Sequence, residues 1–144
     1  MNDQYKNSYK ATAKELVSLS VYNVGYQLCD AGYQWGPGIR DHYLIHYVIS
    51  GKGTYEVNNE THFLSAEDAF LVYPNTEIIY RADAKTPWEY AWVGFTGSDA
   101  ATILQATDFS RKHPCIHAVP NGEEVKRQLL HIYDARGNGF EHAV

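Results

Sequence analysis

Residues 40–46 place one arginine and two histidines in a strand-like segment. The run from Tyr43 to Ile49 is rich in β-branched and aromatic residues, which favours a strand and puts Arg40, His42, Leu44 and His46 on one face. Four strand residues span about 13 Å, whereas two nitrogen ligands of one metal lie within about 4 Å of each other. The spacing disfavours a metal site and leaves two main interpretations, ligand contact or histidines hydrogen-bonded on a half-buried face.

The Arg40 guanidinium can donate two parallel hydrogen bonds to neighbouring oxygens. Vicinal hydroxyls or a carboxylate would present such oxygens. The alternative is a surface ion pair with Asp41 or another carboxylate. Both interpretations stay open at the level of sequence.

A second candidate site is the aromatic segment from Pro87 to Phe95. With a period of two, Trp88, Tyr90 and Trp92 share one face, and the opposite face, with Ala91 and Val93, is also largely apolar. This pattern predicts a strand with helices on one side and a cavity on the other. Indole and phenol rings stack on the C–H faces of sugars, although a plain aromatic core is the alternative. Tyr80 is a further candidate for the same cavity, or an ordinary strand aromatic.

Templates for catalysis are missing from the sequence. There is no GxSxG turn, Gly-rich phosphate loop or HExxH motif, and the spacing of the carboxylates defines no catalytic pair. We therefore expect no enzyme activity and no cofactor.

The elements that must position these residues change type along the chain. From about residue 16 to 95, short strand-like runs alternate with turn signals such as Gly51-Lys52-Gly53 and Asn58-Asn59, which indicates a sandwich or small barrel. Residues 43–57 are typical of a hairpin. Helical periodicity follows after the candidate N-cap Ser98, and again from about residue 122 to 135. The prediction is a mainly β body followed by two α-helices.

Composition limits the classes of function. The chain has 144 residues, enough for one domain, and a net charge of −5, which argues against general nucleic-acid binding. Aromatic residues include 12 tyrosines. No signal-peptide-like or membrane-spanning run is found, and two cysteines are too few for a disulfide framework, so we expect a cytoplasmic location.

Three segments resemble the N-terminal effector-binding and dimerisation domain of AraC-type transcription regulators, a cupin-like (jelly-roll) barrel. They are the stretch around Ile49 to Gly53, the segment from Leu64 to Pro74, and the segment from Pro87 to Gly97. The match runs from about residue 20 to 135. Within the family, the chain is most similar to regulators of sugar utilisation in Gram-positive bacteria, including those that respond to raffinose and related α-galactosides.

The resemblance implies that a small effector, a mono- or oligosaccharide such as an α-galactoside, binds inside the barrel. Trp92 matches a stacking indole of sugar-binding relatives, with Tyr90 on the same wall and Tyr80 on the neighbouring strand. By parity, Arg40, His42 and His46 would line the opposite wall. The ligand-binding prediction therefore comprises Arg40, His42, His46, Tyr80, Tyr90 and Trp92, with no catalytic residue and no metal.

Residues 1–14 are rich in Asn, Gln, Lys and Ser, which predicts a flexible arm. The resemblance implies that the barrel extends over 15–97 and a helical linker and dimerisation region over 98–144. It implies a homodimer that contacts DNA only through a C-terminal helix-turn-helix domain absent from this chain. One alternative is a small metal-dependent cupin enzyme that uses His42, His46, His62 and carboxylates, although the His-x-His pattern of metal-binding cupins is not present. A carbohydrate-binding module outside the cell is another alternative, but it does not fit a chain without a signal peptide.

Overall fold

Nine β-strands and two α-helices make up residues 20–143, the part of the chain described by the structure, a computed structural model. In chain order they are β1 (Ser20–Leu28), β2 (Gln34–Ile39), β3 (Tyr43–Ser50), β4 (Lys52–Val57), β5 (Glu60–Ser65), β6 (Ala69–Val72), β7 (Glu77–Ala82), β8 (Glu89–Thr96), α1 (Ala100–Leu104), β9 (Cys115–Ile116) and α2 (Gly122–Ala143). The predicted arm over residues 1–14 lies outside the described residues.

The strands form two antiparallel sheets. One has the order β1-β8-β3-β6-β9 and the other the order β2-β7-β4-β5. Their inward faces enclose a core whose largest fully buried side chains include Trp88, Tyr55, Tyr90 and Phe70. This arrangement confirms the predicted class, a mainly β, cupin-like barrel followed by two helices.

A second apolar layer covers the outer face of the five-stranded sheet. Ala91 from β8 and Tyr47 from β3 pack there with Leu104 of α1 and Leu129 of α2. Strand β8 therefore carries core residues on both faces, as its two-sided apolar pattern predicts, and its outer face meets the helices.

Several turns follow the predicted signals, but Gly36-Pro37-Gly38, predicted as a turn, lies within β2, and one strand pairing also differs. Asn58, Asn59 and Asn75 adopt positive φ in turns, where Asn is tolerated better than most residues. The predicted hairpin over residues 43–57 is wrong, because β3 pairs with β6 and β8 whereas β4 pairs with β5 and β7. Gly51, with φ of 73°, carries the chain from one sheet to the other.

The segment between the helices rejoins the sheet, which the sequence did not predict. Strand β9 pairs with β6. The buried carboxylate of Asp68 accepts one hydrogen bond from the amide of Ala118, just after β9, at 2.9 Å, and another from the amide of Ser65 at 2.8 Å. The Nδ1 atom of His117 lies 3.1 Å from the same carboxylate. These contacts attach the segment that leads into α2 to the barrel.

The helices differ from their predicted bounds. Helix α1 begins after Asp99 rather than after Ser98 and has five residues, while α2 begins at Gly122 as predicted and continues to Ala143. Within residues 20–143, no helix combines the length and the hydropathy needed to cross a membrane.

Candidate ligand-binding site

A cavity of about 260 Å³ lies between the two sheets. Both sheets and the β2–β3 connection contribute to its lining, which consists of Asn23, Gln27, Tyr33, Trp35, Arg40, Leu44, His46, Tyr80, Tyr90 and Trp92. Arg40 is the only one of these residues with a formal charge at neutral pH. The cavity thus combines aromatic walls with a few polar groups, as small-molecule sites do.

Trp92 forms one aromatic wall because Gly25 lies directly beneath it. The two residues are register partners on β8 and β1, and a Cβ added at Gly25 would lie 2.5 Å from the Cη2 atom of the indole and nearer still to two other ring carbons. The ring therefore lies flat on the backbone of β1, in space that a side chain would otherwise occupy. Its other face is turned to the cavity.

Arg40 is held against the four-stranded sheet. Its guanidinium carbon lies 4.0 Å from the centre of the Trp35 ring, and its Nη2 atom donates a hydrogen bond to the Tyr80 hydroxyl at 3.3 Å. Trp35 and Tyr80 are themselves stacked, with ring centres 5.6 Å apart. The cation is thus oriented by two aromatic rings, and its Nε atom is buried without a hydrogen-bond partner.

His46 is a neutral group at the floor of the cavity. The side chain is 2 % exposed and stacks on Phe70 with ring centres 4.5 Å apart. Burial, together with the positive charge of Arg40, lowers the pKa of His46 to about 3. Its Nδ1 atom is buried and has no partner, so a neutral imidazole is available to hydrogen-bond a ligand.

Two phenol groups complete the polar lining as hydroxyls rather than phenolates. Burial raises the pKa of Tyr80, and the hydrogen bond and charge of Arg40 only partly offset this effect. Burial also raises the pKa of Tyr90 well above its usual value. Both groups therefore remain able to donate as well as accept hydrogen bonds at neutral pH.

Unsatisfied polar atoms distinguish this cavity from the wider grooves on the outside of the barrel. Among the described residues, six buried side-chain polar atoms have no partner, and three belong to the lining: Asn23 Oδ1, Arg40 Nε and His46 Nδ1. Two outer grooves, of about 520 and 570 Å³, include none of the six. Buried polar atoms normally have partners, so this cluster indicates where a polar ligand would bind.

The structure brings five of the six predicted residues to the cavity. His42 is not among the lining residues; it is 5 % exposed, its Nδ1 atom lies 2.8 Å from Asp41 Oδ1, and its ring stacks on Tyr22. Arg40 and His42 both precede β3, in the β2–β3 connection, so the prediction that they share a strand face with His46 is wrong. Of the two histidines, only His46 lines the cavity.

The predicted distribution over opposite walls is wrong for His46 and for Tyr80. Strands β3 and β8 are neighbours, and His46 is the register partner of Trp92, so the two side chains belong to one wall. Tyr80 lies on β7 in the other sheet, and both Tyr80 and Trp92 line the cavity. Parity along a strand shows which side chains share a face, but it does not show which strands pair.

Five lining residues were not among the predicted ligand contacts: Asn23, Gln27, Tyr33, Trp35 and Leu44, of which only Leu44 had been placed on the same face as His46. Trp35 precedes Gly36-Pro37-Gly38, which is typical of a turn, so its own strand was obscured. Asn23, Gly25 and Gln27 are alternate residues of β1 and therefore point to the same face. Knowledge that β1 pairs with β8 would have placed Asn23 and Gln27 beside Trp92.

No group of three or more His, Cys, Asp or Glu side chains is arranged to hold a metal ion within the described part of the chain. His62, the third histidine of the alternative enzyme interpretation, lies on β5, with its Nε2 atom 3.7 Å from Glu60 Oε1. It is not part of the cavity lining.

The structure defines a cupin-like barrel with an internal cavity, and comparison with known proteins identifies its family. Residues 20–142 match the model of the AraC-like ligand binding domain. The chain belongs to this family, as the three sequence segments indicated.

Curated relatives are operon regulatory proteins. The Msm operon regulatory protein of Streptococcus mutans serotype c is 42% identical over 97 residues, which cover 67% of this chain and 35% of that protein. The raffinose operon transcriptional regulatory protein RafR of Pediococcus pentosaceus is 37% identical over 127 residues, covering 87% of this chain and 46% of that protein. The chain therefore spans between about a third and a half of the length of these relatives.

Solved structures with a similar fold include a cupin 2 conserved barrel domain protein from Salinispora arenicola. It aligns with a TM-score of 0.48 and 9% identity, over 62% of this chain and 83% of that chain.

Proposed function

We propose that this chain is the effector-sensing part of a transcription regulator, and that it binds a saccharide between Trp92 and Arg40 inside the barrel. The observation that carries the proposal is the cluster of unpartnered buried polar atoms beside an open indole face. The similarity to RafR, a regulator of a raffinose operon, supports the choice of a sugar.

The chemistry of the lining matches a sugar ring. The Trp92 face stacks on ring C–H groups, while Arg40 Nε and His46 Nδ1 bond to hydroxyls. The Tyr80 and Tyr90 hydroxyls act as further donors or acceptors. None of these roles requires bond breaking, and we infer a binding domain rather than an enzyme.

Signal transmission would pass through the five-stranded sheet, which separates the cavity from the helices. On β3, His46 faces the cavity and Tyr47 faces outward, where its hydroxyl lies next to Gly122 at the start of α2. On β8, Trp92 faces inward and Ala91 packs outward in the helical layer. A ligand that binds two arrangements of this sheet unequally would shift α2, and with it a dimer contact and a DNA-binding region.

Isothermal titration of the 144-residue chain with a panel of mono- and oligosaccharides tests the proposal. We expect at least one sugar to bind, and Trp92→Ala to weaken it at least tenfold. Phe63→Ala is the matched control, because Phe63 is 72% exposed and does not line the cavity. Failure of every sugar to bind, or equal binding by Trp92→Ala, would contradict the proposal.

A further inference from the structure

The positive charge of Arg40 has no carboxylate partner. The sequence left open an ion pair with Asp41, but the Asp41 carboxylate lies 2.8 Å from His42 Nδ1 instead. Among the described residues, no Asp or Glu oxygen lies within ion-pair distance of Arg40, and none of the ten lining residues is acidic. Arg40 therefore brings an uncompensated charge to the cavity.

The groups around Arg40 orient this charge but do not neutralise it. The guanidinium carbon lies 4.0 Å from the centre of the Trp35 ring, and Nη2 donates a hydrogen bond to the Tyr80 hydroxyl, which burial keeps protonated. His46 is neutral, because burial and the charge of Arg40 lower its pKa to about 3. The other polar lining side chains are amides and phenols, namely Asn23, Gln27, Tyr33 and Tyr90. The lining as a whole thus has one positive charge and no negative one.

Arg40 also retains unused hydrogen-bonding capacity. A guanidinium has five N–H donors, and at Arg40 the hydrogen bond to Tyr80, at 3.3 Å, uses only one of them. The Nε atom is buried without a partner. A carboxylate or phosphate offers several oxygens with the spacing of these donors and supplies the missing negative charge, whereas a neutral hydroxyl supplies only an acceptor. Hydrogen bonds between charged groups are about twice as strong as those between neutral groups.

The overall charge of the chain does not prevent an anion from binding here. The net charge is −5, but at physiological ionic strength charges more than about 8 Å apart at the surface are largely screened from each other. Arg40 would contact the ligand directly, in a part-buried cavity where charges interact more strongly than in bulk water. The local positive charge therefore outweighs the diffuse negative charge of the surface.

We propose that the effector is an anionic saccharide, whose carboxylate or phosphate group binds to Arg40 while its sugar ring stacks on Trp92. This inference rests on the proposed function, because it names the chemical class of saccharide that the same site takes. A neutral sugar would leave the guanidinium without a counter-charge.

Matched neutral and anionic sugars test the inference by isothermal titration of the 144-residue chain. One series is galactose, galacturonate and galactose 6-phosphate, and the other is glucose, glucuronate and glucose 6-phosphate. In the series that binds, we expect the uronate or the phosphate to have a Kd at least tenfold lower than that of the neutral sugar, and the lower of the two identifies the anionic group. Inorganic phosphate and acetate should bind at least tenfold more weakly than that ligand.

Three outcomes would overturn the inference. A neutral sugar, from either series or from the wider saccharide panel, that binds within tenfold of the best anionic sugar would overturn it and leave the proposed function intact. Inorganic phosphate or acetate that binds as tightly as the anionic sugar would show a general anion site. If no saccharide binds, the proposed function fails together with the inference.

Variants of Arg40 test whether this residue is the source of the preference. Arg40→Gln should lower the ratio of the neutral to the anionic Kd at least tenfold, and Arg40→Lys, which keeps the charge, should lower it less. Arg81→Gln is the matched control, because Arg81 is an exposed arginine of the same sheet that bonds to Gln34 and does not line the cavity. An unchanged ratio in Arg40→Gln, with folding verified by circular dichroism, would contradict the assignment to Arg40.

Discussion

Replacing Gly25 by alanine should move Trp92 into the cavity. The new Cβ would lie 2.5 Å from the indole Cη2 atom, whereas carbon atoms pack best at about 3.5–4.0 Å, so the ring must move by at least about 1 Å. Gly25 does not have a positive φ, and alanine therefore fits its backbone conformation without strain. The effect of Gly25→Ala on stability and binding is therefore expected to come from the contact between the new methyl group and the indole ring.

We expect the overpacked variant to lose about 1–3 kcal/mol of folding free energy and to bind sugar at least tenfold more weakly, a change of about 1.4 kcal/mol. Urea unfolding followed by circular dichroism measures the first effect, and titration calorimetry measures the second. Trp92→Ala removes the ring that the new methyl group meets. The destabilisation by Gly25→Ala should therefore fall below about 0.5 kcal/mol in that background.

The same free energy cost of Gly25→Ala in both backgrounds would refute the reasoning, because the cost would then not arise from contact with the indole. Wild-type sugar affinity in Gly25→Ala would refute it equally. Val21→Ala, on the same strand with a side chain that is 54% exposed, controls for changes to β1 and should alter stability by less than about 0.5 kcal/mol.

Other predictions concern protonation, thiol reactivity and the attachment of α2. Because the pKa of His46 falls from 6.5 to about 3 on folding, the unfolded chain binds the extra proton, and stability falls as pH decreases from 6.5 towards 3. Between pH 7 and 4.5 the wild type should lose about 2–3 kcal/mol more than His46→Phe in urea titrations; parallel curves would contradict the burial argument. Burial raises the pKa of Cys115 to about 12 and also raises that of Cys29, so at pH 8 iodoacetamide should alkylate the native chain far more slowly than the urea-unfolded chain, and equal rates by mass spectrometry would disprove this. Asp68→Ala leaves two backbone amides without their acceptor, so we expect it to lower the free energy of unfolding by about 2–4 kcal/mol in the urea assay. Faster hydrogen exchange at Ala118 should accompany this loss. An unchanged urea midpoint would contradict a stabilising role for the Asp68 carboxylate.

How much the sequence predicts depends on whether a feature is local. The alternation along residues 88–95 predicted both faces of β8, and the Asn58-Asn59 signal predicted a turn, because both depend on neighbours in the chain. The pairing of β3 with β8 joins residues far apart in the chain, from Tyr43 with Phe95 to Ser50 with Glu89. No local pattern contains that pairing, which is why the hairpin and the position of His46 were predicted wrongly.

In the candidate site too, the residues that were predicted differ from those that were missed in whether local sequence indicates them. Residue chemistry and family resemblance selected Arg40, His46, Tyr80, Tyr90 and Trp92, and the structure places all five around one cavity. Binding by these residues stays a prediction. Trp35 was missed because glycine and proline obscured its strand. Gly25 was missed because it contributes no side chain, which leaves the space that the Trp92 ring fills.

The contacts of Asp68 hold the chain at the barrel end of α2, so that the helix can rotate about this point. Helix α2 has 22 residues and is therefore about 33 Å long. The Asp68 carboxylate holds the segment just before the helix through the Ala118 amide, and Leu129 packs the first half of the helix on the sheet. A rotation of about 5° around the fixed end displaces the far end by about 3 Å over that length. A small rotation of α2, caused by a shift of the sheet that leaves the packing around the cavity intact, would thus produce a larger displacement at the far end of the helix.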